Sequence, residues 1–129
     1  MGLFKKKISV KDIERLETDL NVKLPNDYKE EILSLNGKSY AGAYVLHPKH
    51  EELDFSGFIS LNPNDKRNVY DIYKEVIEDP KYFPFGDTDF GDYFCFDLKK
   101  KQIVLYLHET GKVLPICDTF TKFLKMLKY

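Results

Sequence analysis

Between residues 9 and 36 the apolar positions recur every three to four residues. Ile13, Leu16 and Leu20 form one stripe, with Lys11, Glu14, Arg15 and Asp19 away from it, which predicts an amphipathic helix. Ser9, followed three residues later by Asp12, has the spacing of a capping box and sets the start of that helix, which should end near Asn21. In "LPNDYKEEILSLNG" Pro25 stands where a first-turn proline costs no hydrogen bond. Tyr28, Ile32 and Leu35 mark one face, and Asn36-Gly37 supplies a left-handed stop. Only a few residues join these two helices, so a compact antiparallel or crossed pair is expected.

The period then changes. "AYVL" and "GFISL" read as short strands separated by a loop, "HPKHEELDFS". Val69, Ile72, Tyr73, Val76 and Ile77 restore helical spacing until Asp79-Pro80 stops it. "DYFCFDL" and "QIVLYLHE" are strands rich in apolar and aromatic residues, joined by a turn at Lys99, Lys100 and Lys101 into a central hairpin. "GKVLPIC" is a further strand, placed at an edge or end by Pro115. Asp118 or Thr119 caps a last helix with Phe120, Phe123, Leu124 and Leu127 on its buried face. This order predicts an α+β fold: a mixed, largely antiparallel sheet with two N-terminal helices, a middle helix and a C-terminal helix. At 129 residues, without repeats or linkers, the chain is expected to form one domain over 1–129.

Composition narrows the function classes. The chain is 43% hydrophobic and 32% charged, as in an ordinary globular protein. Cys95 and Cys117 stand apart, in no CxxC spacing, which argues against a disulfide framework and a zinc site and fits a reducing cytosol. The start, "MGLFKKKISV", lacks the apolar core of a secretion signal, and no apolar run is long enough for a membrane span, so a cytoplasmic protein is expected. Net charge is −1 but uneven: residues 51–97 hold twelve acids against four bases, whereas the flanking segments are net basic. An acidic middle suits a basic protein partner. Dispersed bases, with the aromatics in the acidic segment, argue against direct nucleic-acid binding.

Candidate chemistry is sparse. Asp87, Asp89 and Asp92 invite a hard-cation reading, but a calcium loop opened by Asp87 would need glycine at Asp92 and glutamate at Leu98. Turn-building roles fit these aspartates better, beside Gly86 and Gly91. His47 and His50 flank Pro48 without a third ligand, and no metal or cofactor is expected. Cys117 with His108 as base is the sharpest enzymatic idea, yet it lacks any supporting motif, and no catalysis is expected. Tyr82, Phe83, Phe85, Phe90, Tyr93, Phe94 and Phe96 exceed what one strand face can bury, leaving some for a contact surface. Charge and aromaticity together nominate Glu51, Glu52, Asp54, Tyr82, Asp87, Asp89, Tyr93 and Glu109 as partner-binding residues.

The order "IERLETDL", "LPNDYKEEIL" with "NG", "FPFGDTDFGDYFCFDL", "IVLYLHE" and "TFTKFLKML" resembles the SUKH superfamily of Smi/Knr-like domains over about residues 8–127. Leu24, Pro25, Tyr28, Asn36 and Gly37 match its helix-two signature, and Gly86, Asp87, Gly91 and Asp92 match the turn before its central strand, both as fold elements. The resemblance implies a bacterial immunity protein that neutralises a cognate toxin, commonly a nuclease. The alternative it implies is a regulatory scaffold for an endogenous partner. Neither role needs catalysis.

Overall fold

A computed structural model describes residues 7–129. Helix α1 (Val10–Leu20) starts at Ser9, whose hydroxyl accepts the Asp12 amide while the Asp12 carboxylate accepts the Ser9 amide. It stops at Asn21, in the left-handed region with φ 53°. Helix α2 (Asn26–Leu35) follows Pro25. Here Gly37 alone takes the left-handed stop, at φ 68°, because Asn36 serves as a strut: its side chain accepts the Leu61 amide at 2.7 Å and donates to Ser60 at 3.2 Å. Asn68 caps α3 (Val69–Glu75), and Thr119 caps α4 (Phe120–Met126) by accepting the Lys122 amide.

Seven strands form one antiparallel sheet: β1 (Ser39–His47), β2 (Glu51–Phe58), β3 (Tyr82–Asp87), β4 (Tyr93–Asp97), β5 (Gln102–Tyr106), β6 (Val113–Cys117) and β7 (Leu127–Lys128). Their spatial order is β6-β5-β4-β3-β2-β1-β7. With two helices before the sheet, one within it and one after it, this is the expected α+β fold. The expected loop at "HPKHEELDFS" is instead mostly strand. Only residues 48–50 turn, since Leu53 and Phe55 face inward at period two between exposed or half-exposed acids. Ile59 to Leu61 leave the sheet, apart from a bridge between Ser60 and Asn68. Strand β3 hides in the sequence because it contains Pro84 and Gly86, two residues that strands disfavour. Its ladder with β4 slips register between them. Gly86 is required there, for a Cβ would lie 2.7 Å from the Phe55 ring.

The last helix decides the shape of the sheet. A flat sheet of seven strands would put β6 and β7 about 29 Å apart at about 4.8 Å per strand. The chain crosses from Cys117 to Leu127 with one seven-residue helix and a few extended links, a reach of only about 20–25 Å. The sheet therefore has to curl around α4. Its curl is evident at the His47 ring on β1, which meets the backbone of Ile116 on β6 although five strand intervals separate them in the ladder.

Aromatic side chains fill the curl. Phe123 of α4 packs its ring 5.0 Å from Phe85, 5.2 Å from Phe94 and 5.8 Å from Phe55. Tyr28 of α2 meets Phe96 at 4.9 Å and Phe120 at 5.1 Å, both edge-on, the arrangement favoured by ring quadrupoles. Burying each such ring contributes about 1.5–3 kcal/mol. The Tyr28 hydroxyl is fully buried and has no hydrogen-bond partner among the described residues, and burial pushes its ionisation far above the ordinary tyrosine range. Tyr28→Phe should therefore raise stability, by about 1 kcal/mol, by removing an unmet polar group. Phe123→Ala should lower it by about 3–5 kcal/mol. Urea unfolding measures both, and a destabilised Tyr28→Phe variant would mean that the hydroxyl has a partner after all.

Candidate protein-binding surface

In a run of antiparallel neighbours, alternate connections fall at the same end of the sheet. The β1–β2, β3–β4 and β5–β6 turns accordingly share one end, and the β4–β5 turn with Lys99, Lys100 and Lys101 lies at the other. The β3–β4 and β5–β6 turns bring Asp89, Asp92 and Glu109 together with Asp54 of β2, whereas Glu51 and Glu52 lie farther along β2, six and five strand positions from Gly57, the partner of Asp87.

Cross-links tie the β3–β4 turn to strand β2 on one side and to the β5–β6 turn on the other. Asp54 on β2 accepts the Asp89 amide at 2.6 Å, and Ser56 donates to the Asp89 carboxylate at 2.5 Å, strapping the β3–β4 turn onto β2. On its other flank Asp92 accepts the His108 amide at 3.1 Å and faces His108 Nδ1 at 2.7 Å, which joins it to the β5–β6 turn. Within the turn the Thr88 hydroxyl accepts the amides of Phe90 and Asp92. Thr88 donates its own amide to Asp92 and accepts that of Gly91. Gly91 supplies the left-handed residue, at φ 86°, and its missing side chain leaves room for the His108 ring, which a Cβ would approach to 3.2 Å.

The sequence candidates divide on this frame. Asp89 and Glu109 are exposed on the β3–β4 and β5–β6 turns, with Asp54 and Tyr93 half-buried, while Glu51 and Glu52 are exposed farther along β2, beside the β1–β2 turn. Asp87 is buried at the close of β3 and paired with Arg67, so the free surface does not include it. Tyr82 starts β3, five strand positions from Asp87, hence roughly 16 Å from the turn end. Its ring nevertheless reaches back along the sheet face that carries Cys95, to 6.0 Å from the ring of Tyr106, the cross-strand partner of Tyr93. Sequence reasoning counted Phe90, the exposed tip of the β3–β4 turn, only within the aromatic run that supplies a contact surface and did not nominate it, and it passed over Arg67, the cation on Asp87, to which nothing local pointed.

Histidine and cysteine chemistry falls elsewhere. His47 is buried, its Nδ1 accepts the Lys49 amide at 3.0 Å, and its ring lies 4.8 Å from that of His50. Burial first, then His50, hold its imidazole below the ordinary value, with the Ile116 backbone acting in the opposite sense. Burial likewise pushes the Cys117 thiol up to about 11, away from the reactive thiolate. Cys117 pairs with Ile103 at one end of the β5–β6 hairpin, whereas His108 follows its other end, about 13 Å or more along the strand. The two do not form a nucleophile–base pair. Among the described residues no three His, Cys, Asp or Glu side chains are grouped to hold a metal ion, and no helix is long and apolar enough to cross a membrane.

A family model described as SMI1 / KNR4 family (SUKH-1) matches residues 7–126. The chain belongs to that family. SUKH-1 is known for immunity proteins, and the match covers every helix and all but the last short strand of the fold described above. No curated protein and no solved structure matches the chain significantly.

Two measurements probe this end of the SUKH-1 domain. Because the folded state lowers the His47 proton affinity, the unfolded chain binds the extra proton as pH falls through about 6.5. The His47 contribution should therefore be complete above that pH and decline below it. An NMR titration of His47 should give a midpoint under 6.5, and a midpoint above it would reverse the sign. Arg67→Ala should cost about 1–3 kcal/mol by leaving Asp87 buried without its cation, and Asp87→Asn in the same chain should recover part of the loss in urea unfolding.

Proposed function

We infer that this SUKH-1 protein is an immunity protein that acts in the cytoplasm. It binds a cognate toxin domain of nuclease type and neutralises it by covering the active or substrate-binding surface, without catalysis or a cofactor of its own. The observation that carries the reading is the set of acids around the β3–β4 turn, where Asp89 is strapped to Asp54 of β2 and Asp92 to His108, next to Glu109 in the β5–β6 turn. A nuclease holds phosphates with a cationic surface. Carboxylates fixed on a rigid sheet offer that surface negative charge at comparable positions and speed the encounter, while aromatic packing slows release.

Co-expression tests the reading. The protein should restore growth to cells making one particular nuclease toxin and leave them sensitive to unrelated ones. A regulatory scaffold would rescue from none. Replacing Glu51, Glu52 and Glu109 together by glutamine should lower the association rate several-fold and flatten its dependence on salt. An unchanged rate in stopped-flow mixing would remove the acidic mechanism while leaving the rescue result intact.

A further inference from the structure

The β3–β4 turn presents a phenylalanine in an unusual setting. Phe90 is 74% exposed at the tip. Single exposed apolar residues are common and need no explanation when they sit on mobile loops. Here all five amides from Thr88 to Asp92 are hydrogen-bonded, to Asp92, Asp54, the Thr88 hydroxyl, the Thr88 carbonyl and the Thr88 hydroxyl again. The flanking carboxylates are also fixed, Asp89 by Ser56 and Asp92 by His108. The ring is held out into water by a backbone with little freedom left to lose.

We propose that Phe90 is the apolar anchor of the partner interface, a rigid aromatic that enters a recess in a cationic protein surface. The occupant follows from complementarity. A ring flanked in its turn by Asp89 and Asp92 is repelled by an acidic surface and matched by an apolar hollow rimmed with Lys and Arg. Pre-ordering adds to the match, because the ordering entropy of the turn is lost on folding and not again on binding. Aromatic residues at the centre of an interface carry a disproportionate share of its free energy. The inference rests on the reading of a basic toxin partner and names the residue on which its affinity turns.

The probes are catalytically inactivated nuclease-toxin domains of basic charge, arrayed against the full chain in a surface-binding assay. Phe90→Ala should weaken the domain that binds the unmodified protein about 10- to 100-fold, chiefly by faster dissociation, with the melting temperature unchanged because the ring supports nothing in the fold. Thr88→Ala, which loosens the turn with Phe90 in place, should produce a smaller loss that Thr88→Ser restores. A domain that binds the Phe90→Ala variant as tightly as the unmodified chain ends this inference and leaves the immunity reading standing. Binding to no member of the array overturns the immunity reading and the inference with it.

Discussion

The chain leaves the sheet at one border and rejoins it at the other through nine residues, and that short crossing governs the architecture. It is too short for a flat sheet, so the strands wrap around α4, and the wrap creates the concavity that the rings of Tyr28, Phe85, Phe94, Phe120 and Phe123 fill. Packing and topology are therefore one constraint. Without the phenylalanines of α4 the curl would enclose a void; without the curl those rings would have no common floor.

Pairing also arranges the surface, since the β3–β4 turn lies between β2 and the β5–β6 turn and its acids meet Asp54 on one side and His108 on the other. The same carboxylates serve the fold. Asp54, Asp89 and Asp92 accept amides and hydroxyls as well as presenting charge. That dual use reconciles the two readings of the aspartate run: its members are turn builders by geometry, and as turn builders they hold a negative edge in fixed positions.

Much of this was legible in the sequence, because the relevant physics is local. The Ser9–Asp12 box, the Thr119 cap and the helical stripes each lie within a few residues of their partners, and the three lysines after β4 mark its turn. What stayed hidden depends on contacts across the chain. Strand β2 was obscured by surface acids alternating with Leu53 and Phe55, and β3 by a proline and a glycine whose justification is the Phe55 ring 31 residues earlier. Asp87 carries no mark in the sequence of its cation, Arg67, which lies twenty residues earlier.

Both borders of the sheet are blunted. Pro115 interrupts the donors of β6, and β7 occupies Tyr44 and Val45 on β1. Recognition by adding a strand is thereby disfavoured, and contact with another protein falls to side chains on the turns. Those positions are largely exempt from packing: Phe90, Glu52 and Glu109 touch solvent rather than the aromatic interior. Partner choice and foldability are consequently written in different residues, so a lineage can revise one without endangering the other.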